Sequence, residues 1–493
     1  MFSFLTLPRE LRDDIYAYYA AQDGGYLYNQ RTRKLRTASR GPVDLSLMQT
    51  CSQIAHELRP VIFKMNIITF RTQWIDRETS DRAASFATAL KYLHAASARQ
   101  LSMVRTNITE DIIERAGTEF PQCVPLLHHF RSPSGHVVPS HIRLVHDWRA
   151  WRHAPSTHRD FVNYMLSLRK GSRKWWEFWK DDEILGQRLD QPNIASLLAR
   201  IPDPWTIPDE EDVASLKEQC ISWNPSMSCS PHYNDGPIKR YFSAAALAIQ
   251  FLHSLDSNTL SAICHIVLDE AHASVAYPEC HGLGLVGILQ QYPCISVSRR
   301  VDTKTTVITG KVGQPYFEQI VRLDKDGDPW NSDGRIDSTH VSQAFMRWFE
   351  EAVALSSAMP PDRISLTFHS RNTASTLAIL EQILEDAKWQ STLERLAPRP
   401  TSPLSLMDTC CFFSESFTRV TREIERNEGS VRFDIGKLHV SDRDTHIQVN
   451  SDSTPWQIGI DWMDKFRGTH LEPSPYSSRK DILQEYTEDE VED

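Results

Sequence analysis

Residues 7–20, LPRELRDDIYAYYA, pose a choice between a helix that packs on its own chain and one that keeps an apolar side for another molecule. Pro8 falls in the first turn, where a missing N–H costs nothing. Leu7, Leu11, Ile15 and either Tyr18 or Tyr19 recur at helical spacing, and Arg9, Arg12, Asp13 and Asp14 fall largely elsewhere. Residues 21–43 then read as a loop with a basic cluster at Arg31, Arg33, Lys34 and Arg36. In the next stretch Leu47, Cys51, Ile54 and Leu58 share one stripe of a second helix, which Pro60 closes or kinks. A short turn over 61–64 precedes a strand over 67–70. Helices this small bury little by themselves, so they need a partner or the rest of the chain.

Leu-Pro-x-Glu-Leu-x-x-x-Ile in the first helix and Leu-x-x-x-Cys-x-x-Ile in the second resemble an F-box. They are similar in particular to the F-box-like start of a large set of fungal proteins, in which a LPRELRxxIY helix precedes TCxQIxxExxPVxF. The resemblance covers about residues 4–70. It implies docking onto the Skp-type adaptor of a cullin ubiquitin ligase, with Leu7, Pro8, Leu11 and Ile15 as the docking residues. The chain departs from the pattern in its longer loop at 21–43 and in Gln53–Ile54, where many F-boxes carry Arg-Trp.

Beyond residue 70 the chain reads as mixed helix and strand. YLHAASARQLSMVRTNITED (92–111) and FLHSLDSNTLSAICHIVLDE (251–270) align without gaps, each as helix, turn and short strand. FMRWFEEAVALSSAMPPDRISLTF (345–368) follows the same order, and 372–389 supplies another amphipathic helix. The expected fold class is α+β or α/β: an F-box-like helical unit, then an irregular helix–strand repeat or open α/β layer whose units bury each other's apolar sides. Pro- and Ser-rich breaks at 224–237 and 397–403 divide it into 1–70, a mixed region 71–223, a repeat region 238–396, a C-terminal region 404–470 and a tail 471–493.

IVLDEAH, residues 266–272, copies the DEAH box of helicases, in which an apolar strand ends in carboxylates that hold magnesium, here Asp269 and Glu270. That chemistry needs an upstream phosphate cradle, G-x-x-x-x-G-K-[ST]. The two Gly-Lys pairs, Gly310–Lys311 and Gly436–Lys437, lie downstream and lack the earlier glycine. The wider segment, to about Asp302, instead resembles one that recurs in the same fungal F-box-like proteins. Cys264, His265, His272, Cys280 and His281 invite a zinc reading, but Cys264 and His265 are adjacent on a strand and point to opposite faces. DKDGDPWNSDGRID (324–337) carries Pro329 where a calcium loop needs glycine. In KWWEFWKDD (174–182) Trp175, Phe178 and Trp179 share a helix face while Trp176 points away, which makes Trp176 a candidate client contact. No G-x-S-x-G, H-E-x-x-H or post-strand G-x-G-x-x-G is present, so no catalytic, metal or cofactor residues are expected.

Composition fits this reading. Of 493 residues 40% are apolar and 24% charged, ordinary for a soluble globular chain. The net charge is −10. Asp481, Glu485, Glu488, Asp489, Glu490, Glu492 and Asp493 give the tail −7, which leaves −3 for the rest. A nearly neutral body argues against nucleic acid as the main partner, and the acidic tail reads as solvated and disordered. Nine scattered cysteines fit a reducing compartment. The start lacks a signal peptide's basic n-region, and no apolar run reaches the roughly 18 residues of a membrane helix. The expected protein is a cytoplasmic or nuclear substrate receptor that binds a Skp-type adaptor and an unknown client. The alternatives are a non-catalytic scaffold and an NTPase using Asp269 and Glu270.

Overall fold

Alternation along the strands sets the architecture. In HIVLDE, SVSRRVD and ISLTFH every second residue is buried and the others are half-buried or exposed. The computed structural model describes residues 4–103, 108–124, 127–128, 154–168, 201–223, 239–309, 338–396, 415–437 and a few positions between 439 and 462. Seven strands form one sheet: β1 (Tyr26–Asn29), β2 (Lys34–Thr37), β3 (Ile67–Arg71), β4 (His265–Glu270), β5 (Ser296–Asp302), β6 (Ile364–His369) and β7 (Val431–Phe433). Their order is β2-β1-β3-β4-β5-β6-β7, and every pairing is parallel except the β1–β2 hairpin.

From β1 onward the parallel strands therefore run across the sheet in sequence order. Parallel crossovers are almost always right-handed, so a monotonic order stacks the connecting helices on one face. Ile68, Ile266, Val297 and Ile364 stand in register on that face, as do Phe70, Leu268, Arg299, Leu366 and Val431. Two clusters cover it. Over β1–β5, Phe251 of α7 (Ala244–His253) meets Tyr28 and Phe70 with ring centroids 5.3 and 5.5 Å apart. Over β5–β7, Phe345, Trp348 and Phe349 of α10 (Ser338–Ala358) close on Phe368, joined by α11 (Thr373–Leu396) and α12 (Glu415–Glu425).

The first segment holds α1 (Arg9–Ala20) and α2 (Ser52–Lys64), packed through Tyr16, Ala20, Ile54, Leu58 and Ile62. Pro8 is the residue just before the helix, and Pro60 lies inside α2, which runs through the expected turn at 61–64. The unit expected to be helical also supplies strands: residues 26–37, read as loop, form the β1–β2 hairpin. Gly25 makes that entry possible. Its φ is +68°, and a Cβ there would stand 2.3 Å from the Ile67 carbonyl oxygen.

Further helices lie between β3 and β4: α3 (Arg77–Met103), α4 (Glu110–Glu119), α5 (Pro155–Ser167), α6 (Glu210–Trp223), α7 and α8 (Ser257–Ala262); α9 (Val286–Gln291) links β4 to β5. Of the three expected helix-to-strand units, 251–270 and 345–368 are present. In the unit at 92–111 the helix is the end of α3 and residues 110–111 open α4, while residues 104–107, where its strand would begin, lie outside the described residues. The Trp-rich stretch with Trp176, the calcium-like loop at 324–337 and the acidic tail lie outside the described residues.

Candidate functional site

The first candidate surface is α1. Its inward face is Arg12, Tyr16 and Ala20, one residue every fourth position. Arg12 is drawn in by Glu57 of α2. Its Nε and Nη2 donate to the two carboxylate oxygens at 3.0 and 2.8 Å, and its Nη1 donates to the Leu7 carbonyl at 2.6 Å. Tyr16 Oη adds a 2.9 Å bond to Glu57 Oε2, and Gln53 Nε2 one of 3.1 Å to Oε1. The Arg12 bonds foremost, helped by those of Gln53 and Tyr16, hold the Glu57 carboxyl down at about 2 despite its burial. The same environment pushes the Tyr16 hydroxyl up to about 12, burial first and the Glu57 bond second.

With that face engaged, the apolar stripe turns outward. Leu11 is 50% exposed, Ile15 41% and Tyr18 91%. Pro8 is exposed and Leu7 half-buried. Large apolar side chains repeated at i, i+4 and i+7 on one bare helix face are what helix-mediated recognition uses. Of the four residues singled out in the sequence, Leu11 and Ile15 lie on the exposed side of α1, and Leu7 and Pro8 directly precede its first turn.

The second candidate surface is the sheet face opposite the helices. Parallel sheets are normally covered on both faces. Here none of Thr69, Arg71, His265, Val267, Asp269, Ser296, Ser298, Arg300, Asp302, Ser365, Thr367, His369 and Arg432 is buried. In register across the strands run Arg71, Asp269, Arg300, Thr367 and Arg432. Arg71 Nε is bonded to Asp269 Oδ2 at 2.7 Å, and Asp302 is occupied by the N–H groups of Lys304 and Thr305. Sequence reading missed this surface, although the polar alternate positions of β5 and β6 signal it.

Beneath the sheet lies a buried polar cluster. Glu270 is fully buried and accepts from Ala244 N and Ala245 N at the start of α7 and from Arg299 Nη2 at 2.8 Å. Arg299 also donates to the carbonyls of Pro278 and Glu279 and stacks 4.7 Å from the Trp348 ring. Nearby, the Ser243 hydroxyl and His281 Nδ1 are 2.6 Å apart, and His281 Nε2–H donates to the Ala276 carbonyl at 2.7 Å. This serine–histidine pair has nucleophile–base spacing, but its third member is a carbonyl, and both side chains are at most 2% exposed. Burial brings the His281 imidazole down to about 3, so it is neutral and its Nδ1 accepts from Ser243. The pair caps α7, with Ser243 Oγ accepting from Ala246 N, and pins the left-handed turn at Ala276 and Tyr277, both at φ 63°.

The DEAH-like carboxylates separate across the strand, Asp269 on the open face and Glu270 beneath it. The sheet order also has no reversal, and such a switch point is where open α/β sheets bind nucleotides. Cys264, His265, His272, Cys280 and His281 are likewise dispersed: His265 bonds Ser296 on the open face, His272 stacks on Tyr241, and Cys280 is buried beside Glu279. Among the described residues no group of three or more His, Cys, Asp or Glu side chains could hold a metal ion. Among them, too, no helix is long and apolar enough to cross a membrane. The chain matches no model of a known protein family, no curated protein and no solved structure.

Proposed function

We propose that this chain is a substrate receptor of the F-box-like type, in which α1 docks onto the Skp-type adaptor of a cullin ubiquitin ligase in the cytoplasm or nucleus. One observation carries the reading: α1 leaves Leu11, Ile15 and Tyr18 bare while its other face is fully engaged with α2. The resemblance of residues 4–70 to F-box-like starts supplies the kind of partner. The open sheet face is the surface offered to a client, and Trp176 is a further candidate contact. In this role the chain performs no chemistry. It holds a client near a transferase and raises its effective concentration.

A pull-down with purified Skp-type adaptor tests the proposal. Wild-type chain is expected to be retained, and Leu11→Asp with Ile15→Asp to abolish retention without moving the melting temperature. Failure of the wild-type chain to bind overturns the adaptor reading. One feature favours a second reading, a scaffold without a ligase role: β1 and β3 build the F-box-like segment into the main sheet. A scaffold would keep α1 for packing alone, and the double variant would then change no interaction.

A further inference from the structure

Two thiols meet at the edge where the parallel strands begin. Cys264 directly precedes β4, and Cys294 lies two positions before the start of β5. Ser296 ties the two lead-ins together, its N–H and its hydroxyl both donating to the Cys264 carbonyl, at 2.8 and 3.1 Å. The sulfurs are anchored to consecutive carbonyls of the last turn of α8: Cys294 Sγ donates to Ser261 O at 3.3 Å and Cys264 Sγ to Ala262 O at 3.8 Å. His265 is the register partner of Ser296. Cys294 stands in the turn that leads into β5, so the closeness of the two sulfurs rests on their bonds to the neighbouring carbonyls of Ser261 and Ala262.

Their exposure differs in a useful way. Cys294 is exposed and Cys264 half-buried, whereas Cys123, Cys220 and Cys280 are buried. Burial, then the neighbouring Cys294 sulfur, push the Cys264 thiol up, and Lys64 at the end of α2 opposes this. Cys294 therefore meets a solvent oxidant first, with a second thiol beside it to resolve the product.

We propose that Cys264 and Cys294 are a reversible modification site, closed to a disulfide by a hydroperoxide and reopened by a small thiol. The Cys294 thiolate attacks the peroxide, forming an S–O bond as the O–O bond breaks and hydroxide leaves; sulfur is oxidised and the peroxide reduced. Cys264 then gives up its proton and attacks the Cys294 sulfur. The S–S bond forms, the S–O bond breaks and water departs. In sum two thiols and one hydrogen peroxide give one disulfide and two waters, and two glutathione molecules reverse it while becoming oxidised glutathione. Such transient bridges are the kind found in reducing compartments. The site is independent of adaptor docking.

The test is peptide mapping of the full chain after hydrogen peroxide, with blocking of remaining thiols. Cleavage after acidic and basic residues yields 257–269, which holds Cys264, and 280–299, which holds Cys280 and Cys294. These two peptides are expected to be joined in treated protein and separated by glutathione. The link is expected to vanish in Cys294→Ser, which excludes Cys280 as the partner, and in Cys264→Ser. Both variants should melt like the wild type, and Cys264→Ala gives a second check should the serine disturb the edge. Unlinked peptides with Cys294 taken to higher oxides, a link that survives Cys294→Ser, or Cys294 joined to any other cysteine would each overturn the proposal.

Discussion

Asp269 and Glu270, adjacent on β4, send their carboxylates to opposite faces of the sheet, one to a half-exposed ion pair with Arg71 and the other to a fully buried bond with Arg299. Two groups so divided cannot share one magnesium ion. The two sites also differ in what they contribute to stability. Glu270→Ala leaves Arg299 and two helix N–H groups without their acceptor and should cost about 3–5 kcal/mol. Asp269→Ala breaks a pair whose arginine is 51% exposed and should cost below about 1 kcal/mol. Urea unfolding of the two variants measures the difference. Titration with magnesium nucleotide should give no heat that depends on Asp269.

Much of this layout was legible in the sequence, because helix and strand reading rests on local periodicity. The strand over 266–270, the helix-to-strand unit at 345–368 and the apolar stripe of α1 follow from spacing alone. What spacing withholds is direction. A stripe of Leu11, Ile15 and Tyr18 looks the same whether it faces in or out, and the distant Glu57 decides it by drawing Arg12 and Tyr16 inward. The hairpin at 26–37 was hidden for a similar reason, since YLYN and KLRT become strands by pairing with each other and with β3. The Ser243–His281 contact joins residues 38 apart and leaves no linear trace.

The open face of the sheet predicts a sharp contrast between neighbours on β6. Thr367 is half-buried on the open side, while Phe368 is fully buried among Phe345, Phe349 and Phe433. Thr367→Ala should change stability by no more than about 0.5 kcal/mol. Phe368→Ala should cost about 3–5 kcal/mol through the cavity it leaves. Equal costs at the two positions would mean that the open face is covered.

Two buried acids set the neutral limb of the pH profile. Glu351 accepts from Ser156 N at 2.9 Å and Ser156 Oγ at 2.7 Å, yet burial outweighs these bonds and raises its carboxyl to about 7. Burial likewise raises Asp386 to about 8, against bonds from Ser342 and Gln382. The ordinary values are 4.5 and 3.8, so the folded chain holds these protons more tightly than the unfolded one. Their contribution is fully present below about pH 4 and is lost as pH rises through 7 and 8. The loss is about 3 kcal/mol for Glu351 alone. Denaturant titrations at pH 5 and pH 8 should show the drop, and Glu351→Gln should make it smaller.

Paired leucines on α1 and α2 separate packing from display. Leu58 is wholly buried between the helices, and Leu11 is half exposed. Leu58→Ala should cost about 2–5 kcal/mol, whereas Leu11→Ala should stay within about 0.5 kcal/mol. If Leu11→Ala unfolds the chain as readily, that side chain belongs to the core and the docking face disappears with it.

The clasp between the two helices carries the opposite pH sign. Arg12 foremost, with Gln53 and Tyr16, holds Glu57 at about 2 against an ordinary 4.5. A depressed carboxyl contributes stability above its unfolded value and loses it as pH falls through its folded one, here from 4.5 down to about 2. Protonation leaves Arg12 facing a neutral acid and weakens the grip on α1 from the inside. Hydrogen exchange reads this locally. Amides of 9–20, corrected for intrinsic rates, should lose protection between pH 4.5 and 2, and in Glu57→Gln their protection should already be low at neutral pH. Protection in α1 that stays flat across that window would show that Tyr16 and Ala20 packing, rather than the Arg12–Glu57 pair, holds the helix and fixes which face it displays.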